Sequence, residues 1–165
     1  MISRLVVASG LLMLLIGCGS NTNQTSSQAS PASASVPEAA MLKNQSHINE
    51  GMQELHDSNV TAAIKSFDEA IKQNPKNPQG YLVLGQTYLR LKDYDRAIDT
   101  FSAAVRVAPR NGEAYYLLAV SYGLAGNGDM ARENAQKSVT IFQNEKNQEK
   151  FVRSVALLKG LSKVQ

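Results

Sequence analysis

The feature that most constrains this chain is an interval of 34 residues that recurs at independent positions. Pro75 and Pro109 stand 34 apart, as do Phe67 and Phe101, Ala70 and Ala104, and the pairs Ala63-Ile64 and Ala97-Ile98. Gly51 and Gly85 fit the same interval, with Ala119 in the next copy. Tyr115 continues the series from Tyr81, and Ala131 continues it from Ala97. A fixed period of this length is the mark of a stacked repeat, in which each unit buries its apolar face only against its neighbours. Within one unit the spacing is helical. Tyr81, Leu84, Gly85 and Tyr88 fall at i, i+3, i+4 and i+7 on one face, and Ala97, Phe101 and Ala104 form the face that answers it. Small residues at the crossing allow the two backbones to approach. Asp93 is placed to cap the second helix and Pro109 to stop it. The turn Asn74-Pro75-Lys76-Asn77-Pro78 separates units one and two, and Gly126-Asn127-Gly128-Asp129 turns the chain inside unit three.

The central unit reads Tyr81-x2-Leu84-Gly85-x2-Tyr88, then Ala97-x3-Phe101, then Pro109, and closely resembles the tetratricopeptide repeat. The resemblance implies an all-α solenoid of three helix-turn-helix repeats, at 44–77, 78–111 and 112–145, closed by a C-terminal capping helix in 146–165. The first unit keeps Gly51, Ala63, Phe67, Ala70 and Pro75, with His47 in the aromatic slot. The third keeps Tyr115, Leu118, Tyr122 and Ala131, with Ala135 for the phenylalanine and Gln143 for the proline. In the last segment Phe151, Val155 and Leu158 lie at i, i+4 and i+7, as a cap requires. Five cations against the single acid Glu149 make its outer face basic, a second potential contact with anionic lipid.

The N-terminus supplies an expected address. After Arg4 an apolar run, residues 5–16, is broken only by Ser9 and Gly10. As a helix it spans roughly 18 Å, short of the ~30 Å hydrocarbon core, and reads as a secretory signal peptide over 1–17. Leu15-Ile16-Gly17-Cys18 resembles the lipobox of bacterial lipoproteins. That resemblance implies a diacylglycerol thioether on Cys18, cleavage just before it, and an anchor in the membrane. Gly19 stands where an aspartate would resemble the inner-membrane retention signal, so the outer membrane, periplasmic side, is the expected location. Residues 18–43 are expected to form the lipidated N-terminus and a disordered linker. About 23 of these residues, nearly all Gly, Ser, Asn, Thr, Gln, Ala and Pro, have a reach of roughly 25–30 Å.

Charge and rare residues narrow the function. Seventeen Lys+Arg against 14 Asp+Glu give no global field for nucleic acid. One cysteine excludes an internal disulfide and a thiolate metal cluster. His56-Asp57-Ser58 is no hydrolase triad, because neighbouring helical residues diverge by about 100° whereas a triad converges from different elements. His47 and His56 lie nine apart, not the four of a helical zinc pair. No catalytic residues, metal ligands or cofactor are expected, and an enzyme is disfavoured.

What remains is the concave groove that the first helices of such repeats line. The stripe beside the core face contains Ile48, Met52 and Leu55, then Leu82, Gln86 and Leu89, then Tyr116 and Val120. It is mostly apolar and suits an amphipathic helix or an extended peptide of a protein partner. In the chaperone-binding branch of the family a lysine and an asparagine clamp a terminal carboxylate at these places. Here Leu82 and Gln86 stand there, so that activity is not implied. The capping helix or a second copy, forming a homo-dimer, is the rival occupant. The chain looks like a shortened relative of type IV pilus pilotins, repeat lipoproteins that help secretin subunits reach the outer membrane. A scaffold for an envelope complex, with pilus or secretin biogenesis foremost, is the expected role. An adaptor for cell-wall (peptidoglycan) enzymes is the alternative, and a lipid-anchored enzyme a third.

Overall fold

The computed structural model describes residues 38–162. Cys18, the apolar run 5–16 and the linker as far as residue 37 lie outside the described residues. Seven helices follow in order: α1 (Glu38–His56), α2 (Val60–Gln73), α3 (Pro78–Arg90), α4 (Tyr94–Val107), α5 (Gly112–Leu124), α6 (Gly128–Asn144) and α7 (Gln148–Leu161). There are no strands among the described residues. The chain is an all-α helical solenoid. α1 packs on α2, α3 on α4 and α5 on α6, and each pair leans on the next. Every odd helix also touches the odd helix before it, so α1, α3, α5 and α7 form one row.

Local chemistry sets the helix starts. Asparagine or aspartate caps six of the seven helices: Asn59, Asn77, Asp93, Asn111, Asn127 and Asn147 each accept from a backbone N–H two or three residues on. Inside each repeat the chain reverses through one residue in the left-handed region, Ser58 (φ 63), Lys92 (φ 58) and Gly126 (φ 82), directly before the next cap. These turns share the 34-residue interval.

The core lies where paired helices cross. Phe67 and Phe101 are fully buried, and so are Ala63, Ala70, Ala97 and Ala104. A Cβ added at Gly51 would overlap the Phe67 ring, and one at Gly85 would meet Phe101 Cε1 at 2.6 Å. Glycine is required there by the approach of a ring. In the third repeat the ring is gone: Ala135 replaces it, and opposite stands Ala119, both fully buried. A methyl on each helix fills what a glycine and a phenyl ring fill elsewhere.

Two sequence expectations need correction. The composition of 18–43 predicts a disordered linker, but residues 38–43 form the first turns of α1. Glu38-Ala39-Ala40-Met41-Leu42-Lys43 is a run of strong helix formers with an acid at the positive end of the helix dipole, and it extends the helix that the repeat itself begins. Its next residue, Asn44, is 1 % exposed, donates to Ala70 O at 2.7 Å and accepts from Asn77 Nδ2 at 2.6 Å. One side chain thus joins α1, the end of α2 and the cap of α3. The second correction concerns the last helix, narrower than 146–165 at its start and entered differently from the other odd helices. With Gln143 in place of the proline, α6 runs 17 residues where α2 and α4 run 14. It ends in a left-handed Lys146 (φ 55) and the cap Asn147, the same turn that is used inside repeats.

Candidate functional site

The odd-helix row carries the predicted stripe, but it does not present all of it. Ile48 and Leu82 are 4 % and 7 % exposed and belong to the interior. They occupy one register, 34 apart, and Leu82 shares one buried cluster with Val83, Leu84, Tyr88, Ala114, Leu117 and Leu118. The expectation that these two line an open groove is therefore corrected. A charge placed at Leu82 would be buried, not displayed.

Met52, Leu55 and Gln86 do come together. With His56, Val83, Thr87 and Arg90 they line a cavity of ≈ 240 Å³ between α1 and α3. Met52 is 51 % exposed, Leu55 is half-buried and Gln86 is exposed. Val83 and Thr87 are buried, and the Thr87 hydroxyl donates to Val83 O at 2.8 Å, which leaves an apolar floor. His56 and Arg90 are exposed, each within the last turn of its helix. The His56 Nδ1 lies 3.2 Å from Asp57 Oδ1. Among the described residues Arg90 forms no ion pair.

Sequence reasoning did not pick out Val83, Thr87 and Arg90. The signal was present: Arg90 lies one turn beyond Gln86, and Val83 and Thr87 lie on the side of that stripe that faces α1. Leu89 and Val120, half-buried, continue the row away from this cavity. Tyr116 is half-buried beneath α7, with the Arg153 guanidinium 4.3 Å from its ring centroid. Glu113, the acid of α5, takes the Arg153 Nη2 at 2.6 Å and the Lys150 Nζ at 3.5 Å. At the other end of α5, a Cβ on Gly123 would sit 3.3 Å from Leu161 Cδ2. α7 therefore lies along α5 as α5 lies along α3, and covers the third-repeat end of the row. The cap and the groove are parts of one surface.

Other candidate chemistry is plainly placed. His47 in its aromatic slot is half-buried and meets Glu50 at 3.2 Å. His56 and Asp57 have side chains 82 % and 59 % exposed, beside the left-handed Ser58. Among the described residues no group of three or more His, Cys, Asp or Glu is placed to hold a metal. None of the described helices is long and apolar enough to cross a membrane.

Residues 54–120 match the family model of the tetratricopeptide repeat. The fold is that of a tetratricopeptide-repeat solenoid. The chain is similar to the TPR2B domain of yeast Sti1, solved as a complex with pHsp70 (TM-score 0.70, 21 % identity, 75 % of this chain and 99 % of that one). It is similar to the Yersinia enterocolitica type III secretion translocator chaperone SycD (TM-score 0.65, 15 % identity, 72 % of this chain and 82 % of that one). It is also similar to PcrH, of Pseudomonas aeruginosa, solved with the chaperone binding region of PopD (TM-score 0.66, 16 % identity, 72 % and 90 %). No curated protein sequence matches the chain.

Proposed function

We propose that this chain is a lipid-anchored repeat protein of the cell envelope that scaffolds an envelope complex by holding a protein partner along its odd-helix row. The observation that carries this reading is the cavity between α1 and α3, where Met52, Leu55 and Gln86 meet on a surface that the chain's own cap does not reach. A similar solved structure that holds a segment of another protein supports a reading as a binder of protein segments. The address rests on the sequence Leu15-Ile16-Gly17-Cys18, with the outer membrane favoured by Gly19. Pilus or secretin assembly is the envelope machine it best fits, by resemblance to repeat lipoproteins of that role.

A photo-crosslinking amino acid at position 86, in cells fed labelled palmitate, tests both halves. The wild type is expected to carry the label and to capture one dominant protein, whereas Cys18→Ala yields an unlabelled chain. Labelling that persists in Cys18→Ala removes the anchor. Capture that is equal from position 86 and from the exposed Lys72, on α2, removes the groove.

A further inference from the structure

We infer that the cavity between α1 and α3 selects an apolar side chain followed by an internal acidic residue of the bound peptide, with Arg90 as the residue that reads the acid; this rests on the groove reading above. The apolar part of the lining is Met52, Leu55 and Val83, with the Thr87 hydroxyl turned onto the backbone. At ≈ 240 Å³ it has room for one leucine, methionine or phenylalanine side chain. The rim is cationic. Arg90 stands there without an ion pair among the described residues, whereas Arg153 and Lys150, farther along the row, are held by Glu113. A guanidinium next to an apolar pocket is complementary to a carboxylate next to an apolar side chain, and its planar fork takes both carboxylate oxygens.

An internal Asp or Glu fits better than a chain terminus. Terminal carboxylates are held by clusters of donors or by free backbone N–H groups. Here the walls are helix flanks whose amides are already bonded, and of the lining side chains only Arg90 carries a fixed positive charge. The arrangement is particular to this seam. One repeat later the residue in register with Arg90 is Leu124, 53 % exposed, so the charged rim does not recur.

The ordinary role of a cation in the last turn of a helix is to offset the helix dipole. Arg106 has that role in α4 and lies outside the cavity, so it is the control. The full-length protein in detergent would be applied to an array of dodecapeptides, each made both amidated and with a free C-terminus, with Leu-Glu, Met-Glu or Phe-Glu at the centre, beside the same peptides with Gln for Glu. The wild type and Arg106→Gln are expected to be retained about tenfold more on the Glu set. Arg90→Gln, with unchanged circular dichroism, is expected to lose that excess and to keep its retention on the Gln set. An excess that survives Arg90→Gln, or appears only on peptides with a free C-terminus, overturns the inference. Equal retention on both sets overturns it as well and leaves the groove reading standing. Retention on neither set, in any variant, removes both.

Discussion

At the scale of single residues, the solenoid is tuned by how closely two helices may approach. Gly85 and Phe101 form one packing unit: the ring lies in the space that a Cβ on residue 85 would take. Replacing the ring alone leaves a cavity, so Phe101→Ala is expected to cost about 3–5 kcal/mol. Adding a methyl alone forces the ring aside, so Gly85→Ala is expected to cost roughly 1–3 kcal/mol. The double substitution recreates the Ala119–Ala135 pair that the third repeat already uses. Its cost should therefore fall below the sum of the single costs by roughly 0.5–3 kcal/mol, read from chemical denaturation of the four proteins. Simple additivity would mean that the two residues do not share a site and that the third repeat reached its alanine pair for some other reason.

At the scale of helices, turn chemistry gives the repeats different responses to acid. Asp93 caps α4, and its carboxylate takes the Arg96 Nε at 2.6 Å and the Arg96 backbone N–H at 3.1 Å. The side-chain bond first, and the backbone bond second, hold the Asp93 carboxyl below its ordinary value of 3.8. A depressed carboxyl contributes stability that is present above that ordinary value and lost as pH falls through the folded one. Asp68 acts in the opposite sense, because burial raises its carboxyl, so the effect of Asp93 is read as a difference between proteins. Asp93→Asn keeps a capping oxygen and removes the charge. Its denaturation midpoint is expected to fall less steeply than the wild type's below about pH 4; parallel curves would show that the ion pair with Arg96 contributes nothing beyond the cap. The neighbouring caps Asn59 and Asn127 have no such dependence, although all three stand 34 residues apart.

These caps also show what the sequence could and could not reveal. Residues that repeat at 34 fixed the helix pairs, the crossings at Gly51 and Gly85 and the register of the odd-helix row. Burial at Ile48 and Leu82 was not legible, because the stripe on one helix does not say what packs over it. The extended start of α1 was hidden by reading composition across 18–43 as one linker. The turn before α7 was hidden because the interval there is no longer 34: Asn111 and Asn147, which cap successive odd helices, stand 36 apart.

At the scale of the whole molecule, a solenoid has two ends, and each must hide what a neighbour would otherwise cover. α7 closes one of them. Beneath it lie Phe142, 2 % exposed, and the fully buried Ser138, whose hydroxyl reaches Gly112 O at 3.0 Å and the Ser154 hydroxyl at 2.8 Å. Ending the chain after Lys146 would remove Ser154, open Phe142 to water and release Glu113 from both of its cations. The loss is local in origin, because α7 touches only α5 and α6 among the described helices. Nearest-neighbour coupling then predicts a graded response. Amide exchange should accelerate most in α6 and α5, less in α3 and α4, and least in α1 and α2. The thermal transition should broaden as the third repeat melts ahead of the others. Uniform acceleration along all six remaining helices would mean that the repeats unfold as a single unit. Unchanged exchange in α6 would mean that α7 covers nothing that matters to stability. In that case its contact with Tyr116 and Glu113 would have to be explained by what it does to the groove alone.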